Sequence, residues 1–167
     1  MDQTSKQFRI LAVSLSSRGF GYAVMEGDKR LVVCGKKIFD NDKNIRSLAH
    51  LEKMITRNQP DVMALHDVNA KGSFRATRIK QLHRKVFALA RQRKIRVVTV
   101  SAKELRGMIL GNQKGTKHEM AQAIANQFSD ELASRLPPKR KDWTSEDSRM
   151  DIFDAVGLAL HATIKKP

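Results

Sequence analysis

The sequence predicts an α/β fold: a five-stranded mixed sheet, made of an antiparallel meander and two parallel strands, with helices on both faces. Three observations predict it. Three β-rich segments joined by short polar breaks open the chain. Helical periodicity then alternates with short β-branched runs. The final third carries helix starts and stops and no further strand.

Taken in order, Phe8 to Ser14 is dense in aliphatic and β-branched residues and reads as the first strand. Gly19 to Glu26 follows a Ser-Ser-Arg break. Leu31 to Phe39 follows Gly27-Asp28-Lys29-Arg30, a turn with hairpin character. A helix is expected from Asn41 to Asn58, with Ile45, Leu48, Leu51 and Ile55 on its inner face, and Pro60 stops it. Asp61 to Val68 (DVMALHDV) reads as a buried strand. Phe74 to Lys94 is a long amphipathic helix: Ile79, Leu82, Val86 and Leu89 form its inner stripe, and Arg75, Arg78, Arg84, Lys85 and Arg91 lie largely outside it. Ile95 to Val100 is a short strand.

Ser101-Ala-Lys-Glu104 and Thr116-Lys-His-Glu119 are capping boxes that open two further helices, the second running to about Phe128. A flexible basic loop, Gly111 to Gly115, separates them. Pro137-Pro138 ends the next segment, and the last helix is expected from near Ser145 to about Ile164. No repeat, low-complexity tract or long linker divides the chain, so residues 1–167 read as a single domain.

Composition narrows the function. No apolar run approaches the roughly 20 residues of a membrane helix. The opening MDQTSKQFRI has no apolar signal stretch, so a cytoplasmic protein without membrane contacts is expected. The lone cysteine, Cys34, excludes an internal disulfide framework and, beside Val32 and Val33, reads as a packed strand residue. The net formal charge is +15, and between Val68 and His118 fourteen lysines and arginines face one acid, Glu104. That imbalance suits a polyanion, nucleic acid first, better than a generally solvated basic surface.

Four stretches carry a resemblance. ILAVSLSSRGFGYAV combines a first strand, a turn and a second strand containing Gly-Tyr. PDVMALHDV is a Pro-Asp-led strand. MDIFDAVGLALHA is a final helix with two aspartates and a terminal histidine. ELRGMILGNQKGTKHEMAQAI is a glycine-containing basic loop with the helix after it. In this order they resemble the RuvC family of Holliday junction resolvases, of RNase H-like fold, over about Phe8 to His161. The resemblance implies a metal-dependent endodeoxyribonuclease of the crossover-junction type. It also implies branched (four-way junction) or duplex DNA as partner and a homodimer, since two symmetric strands need two sites.

The departures bear on chemistry. Where the family has a metal-binding aspartate followed by Pro-Gly, this chain has Ser14 followed by Leu15-Ser16. Where the family has a metal-binding glutamate, it has His66. Asn69 stands where the family often has a DNA-wedging aromatic. Asp151 and Asp154 keep their carboxylates. The candidate catalytic set is therefore Asp151, Asp154, His66 and Ser14, and the candidate metal set is Asp151, Asp154, His66 and Asp147.

Two-ion phosphodiester chemistry needs an anionic bridge, and a serine hydroxyl is a poor one. Mg²⁺ prefers oxygen donors, and an imidazole favours Mn²⁺ over it, so Mn²⁺ is the preferred metal if the site is catalytic. Asp147, Asp151 and Asp154 are spaced to share one helical stripe, although an acid in a first turn more often serves the helix dipole. Asp67 alternates to the other face from His66.

Candidate nucleic-acid contacts are Lys71, Arg75, Arg78, Lys114, Lys117, Lys139, Arg140 and Lys141, with Lys117 at a lysine position that the resemblance assigns to DNA. His118, beside Lys117, is a further candidate for phosphate. Trp143 is suited either to stacking on a base or to packing on the core. Three readings follow: a DNA-binding protein with little or no Mg²⁺-dependent cleavage, a junction endonuclease with a remodelled site, or a basic RNA-associated structural protein.

Overall fold

The computed structural model describes residues 6–70 and 75–165. Its sheet has five strands in the order β3-β2-β1-β4-β5. They are β1 (Arg9–Leu15), β2 (Gly19–Glu26), β3 (Arg30–Ile38), β4 (Val62–His66) and β5 (Arg96–Val100). The pairs β1–β2 and β2–β3 are antiparallel, and β1–β4 and β4–β5 are parallel. The expected meander with two parallel strands is the one observed. Gly27 and Lys29 take positive φ in the β2–β3 turn, which closes the hairpin.

Strand alternation gives each face its own core. On one side Leu11, Val13, Leu15, Phe20, Val24, Met63 and Leu65 meet helices α1 (Lys43–Asn58) and α2 (Thr77–Gln92). On the other, Ile10, Ala12, Ala23, Met25, Val62, Ala64 and Val100 meet α3 (Ala102–Leu110), α4 (Lys117–Gln127), the short α5 (Ser129–Leu132) and α6 (Met150–Ile164). A 3₁₀ turn at Ala133–Arg135 follows α5. Among the described residues no helix is long and apolar enough to cross a membrane.

Both capping boxes start helices as expected: Ser101 Oγ accepts from Glu104 N–H at 3.1 Å, and Thr116 Oγ1 accepts from Glu119 N–H at 3.1 Å. The inner stripe of α2 is buried at Ile79, Leu82, Val86 and Leu89. In α1 the stripe is shifted. Leu51 and Ile55 are buried with Ser47, whereas Ile45, in the first turn, is 69% exposed. Cys34, half-buried on the edge strand β3, packs against the α6-side core.

The last helix starts five residues later than expected, at Met150. Its buried Ile152, Phe153, Val156, Leu158 and Leu160 pack on the sheet. Such burial is worth on the order of 10 kcal/mol, which outweighs the cost of carrying two partly compensated carboxylates inward.

Candidate functional site

The site lies where β1 and β4 end. Ala12 pairs with Ala64 across the parallel ladder, so two residues on in each strand come Ser14 and His66. Both point to the α6 side by alternation with Ala12 and Ala64, and both are buried, at 2% and 5% exposure. Asp151 and Asp154, in the first turns of α6, are buried on that same side. Ser14 pairs with Gly21 of β2, and a β-carbon at position 21 would collide with the Asp151 carbonyl oxygen. The bare glycine lets the helix rest directly on the sheet beside Ser14.

Asp151 and Asp154 are joined by Glu146: one ligand oxygen from each lies within 4.8 Å of the others. Asp147 does not share in this group. It precedes the helix, so the stripe it would have shared with Asp151 and Asp154 does not form. Its two oxygens accept from the Arg149 guanidinium at 3.0 and 2.8 Å. That guanidinium and the Arg149 backbone N–H hold its carboxyl at about 2. Glu146 was not legible in advance because its place depends on the turn between Ser145 and Met150.

Lys117, at the first residue of α4, reaches into the cluster. Its Nζ is 2.8 Å from Asp154 Oδ2 and 2.6 Å from Glu146 Oε1. Burial works to lower its pKa, but Asp154 and Glu146 outweigh burial and hold the ammonium above its ordinary value. Asp151 is pushed up to about 6 by burial, by Asp154 and by Glu146, against a hydrogen bond from Ser16 and the charge of Lys117.

His66 stands apart from the acids. It belongs to no group of three metal-binding side chains among the described residues, and neither ring nitrogen has a hydrogen-bond partner. Burial, then Arg75 and Lys117, lower its pKa to about 3, so it is neutral at physiological pH.

These donors do not fit a pair of Mg²⁺ ions. The acids lie on one side of the site, a neutral hydroxyl ends β1, and an imidazole among cations ends β4. An ammonium already occupies hydrogen-bonding distance of Asp154. What remains is a set of three carboxylates, each able to offer an oxygen to a single cation.

Basic side chains converge on the turn after Ser14. Arg75 Nη1 donates to the Leu15 carbonyl at 3.3 Å, Arg78 Nη2 to that of Ser17 at 3.1 Å, and Lys43 Nζ to that of Ser17 at 2.9 Å. Lys114, Lys139, Arg140 and Lys141 are exposed; Lys71 lies outside the described residues. A cavity of about 540 Å³ opens from Lys117 and Glu146 towards Lys139, Arg140, Lys141 and Trp143. Trp143 is 80% exposed, with the Lys141 ammonium 5.6 Å from its ring, so of its two expected roles packing on the core is not the one adopted. His118 is turned to the Pro137 carbonyl at 3.1 Å. Asp67 is engaged locally, accepting from the Asn69 N–H at 3.0 Å.

The chain matches no protein-family model and no curated protein sequence. Its backbone does match solved structures. Against RuvC from Thermus thermophilus the TM-score is 0.67 at 14% identity, covering 95% of this chain and 97% of that one. The same score and identity hold for T. thermophilus RuvC in complex with Holliday junction substrate, over 95% of this chain and 94% of that one. For the yeast mitochondrial Holliday junction resolvase Ydc2 the TM-score is 0.54 at 13% identity, over 92% and 77% of the two chains. The fold is RuvC-like and RNase H-like.

Proposed function

We propose that this chain, on its RuvC-like fold, is a DNA-binding protein that holds branched or duplex DNA against a basic face and does not cleave it with Mg²⁺. The observation that carries the second half is the Lys117 ammonium, seated between Asp154 and Glu146 at 2.8 and 2.6 Å. It answers one of the cluster's three negative charges and holds hydrogen-bonding positions on two of its carboxylates that a divalent ion would otherwise use. The first half is supported by the net charge of +15 and by the cations of four segments gathered around the site. Phosphate contacts from Arg75, Arg78, Lys114 and Lys117, with Lys71 from the sequence, would position the duplex without reading much sequence. A four-way junction has two equivalent strands, so a homodimer is the matching assembly, checked by light scattering with and without junction.

One observation favours a second reading, a junction endonuclease with a remodelled site: three carboxylates within 4.8 Å of one another. A labelled four-way junction separates the two. It is incubated with the protein in Mg²⁺ and then in Mn²⁺, beside an Asp151→Asn, Asp154→Asn control. Binding without cleavage in either metal supports the first reading. Cleavage lost in the control establishes the second. RNA bound much more tightly than any DNA form would sink both.

A further inference from the structure

Beside the acid cluster lies a small pocket of about 70 Å³, walled by Arg106 of α3 and by His66, Arg75, Lys117 and Asp154. Three cations and one carboxylate leave it with two positive charges in excess. One of those cations, Lys117, is matched to Asp154, so the excess is carried by the two guanidinium groups. Two of its donors are unsatisfied as well: Arg106 Nε–H and the single N–H of the neutral His66 ring, whose two nitrogens both lie buried without a hydrogen-bond partner among the described residues. A buried donor left unmade costs about 1–3 kcal/mol, and more when charged, so two in the lining of one pocket point to a missing acceptor. The volume is several times the ~10–15 Å³ that a single water needs.

We propose that this pocket binds one phosphate-type oxyanion directly, through the guanidinium groups of Arg75 and Arg106 and an N–H of His66, with no metal between. A guanidinium offers paired N–H donors in a plane that matches two oxygens of such an anion. A neutral imidazole adds one N–H donor and, unlike a carboxylate, does not repel the anion. His66 at the end of β4 thus gives the pocket a wall that suits an anion. The inference rests on the nucleic-acid reading for the identity of the anion, a backbone phosphate; the pocket chemistry itself would serve free phosphate equally.

The test uses the full-length protein in EDTA. Inorganic phosphate is titrated while the ring ¹⁵N resonances of the five histidines are followed. The His66 signals should move saturably while those of His50 and His161 stay still. Arg106→Gln should weaken that binding about tenfold or more, and Arg106→Lys, which keeps the charge but loses the fork, should weaken it less. Each variant's fold is checked by circular dichroism, and the wild-type titration needs no variant at all. A second arm measures junction binding in EDTA for the same proteins.

Phosphate binding with an Arg106-dependent loss of DNA affinity supports the proposal. Phosphate binding at His66 with no DNA binding keeps the anion pocket and removes the nucleic-acid reading. DNA binding with motionless His66 signals and no Arg106 effect overturns the pocket and leaves that reading intact.

Discussion

Lys117 Nζ lies 2.8 Å from the buried carboxylate of Asp154, so the charge of α6 is answered by the first residue of α4. The pair ties two helices of the same layer together at the mouth of the site. Removing the ammonium leaves Asp154 buried and unpaired. Lys117→Met should cost about 1–3 kcal/mol of stability at neutral pH, the lower end reflecting a lysine still partly open to water. The same variant should bind Mn²⁺ more tightly than wild type, measured by titration calorimetry. Unchanged Mn²⁺ affinity would mean that the lysine does not compete with a cation.

Asp151 and His66 pull stability in opposite directions with pH. Asp151 is raised from 3.8 to about 6, so the folded state holds its proton more tightly, and its contribution is lost as pH rises from about 4 to 6. His66 is lowered from 6.5 to about 3, so its contribution is full above 6.5 and is lost as pH falls towards 3. Over pH 4 to 6 the two slopes oppose, each bounded by about 1.4 kcal/mol per pH unit. Relative to wild type, Asp151→Asn should gain stability with rising pH across that window and His66→Gln should lose it. Urea titrations at several pH values measure both slopes, and parallel curves for all three proteins would refute the assignment.

Trp143 is the only tryptophan in the chain and is 80% exposed beside Lys141. Its emission therefore reports on one place. An unpaired base stacking there should quench it, and branched or single-stranded DNA should quench it more than blunt duplex. Trp143→Ala should weaken binding of the branched form by about 1–3 kcal/mol, with Trp143→Phe restoring part of the loss. Equal affinity for Ala and Phe variants would assign the ring no stacking role.

Salt provides a count of contacts. The exposed Lys114, Lys139, Arg140 and Lys141 alone predict a slope of log K against log salt of about −3.5 for duplex, steeper if Arg75, Arg78 and Lys117 engage phosphate. Arg140→Gln should make the slope shallower by about 1. A slope near zero in fluorescence anisotropy would exclude the basic face as the binding surface.

Ser14→Asp combined with His66→Glu rebuilds four acids at the ends of β1, β4 and α6. The double variant should bind Mg²⁺ and nick four-way junctions in it, where wild type does not, and it should lose phosphate binding at the pocket by placing a carboxylate there. A folded double variant without Mg²⁺ affinity would show that more than two side chains separate this site from a metal-holding one.

Much of this was legible in the residues. The meander with two parallel strands, both capping boxes and the inward face of α2 follow from local patterns. That Ser14 and His66 share one face of the sheet follows as well, because strands fix side-chain direction by alternation. What escaped depended on irregular backbone. The start of α6 moved from near Ser145 to Met150, which took Asp147 off the helical stripe, gave it to Arg149 and brought Glu146 in instead. Ile45 faced outward because the first turn of α1 is not yet covered by its neighbours, which a stripe drawn on a wheel does not reveal. The Arg106 wall of the pocket arises from α3 crossing the end of β4, a tertiary juxtaposition with no local spacing of its own.

Gly21 has a consequence for anyone altering this molecule. A single methyl there would strike the Asp151 carbonyl, so helix and sheet would have to part, and the aspartates would be carried outward with the helix. The close seat of Asp151 on the sheet requires that β2 carry no side chain at this point. The smallest possible enlargement of that position would disturb the arrangement although glycine itself carries no charge.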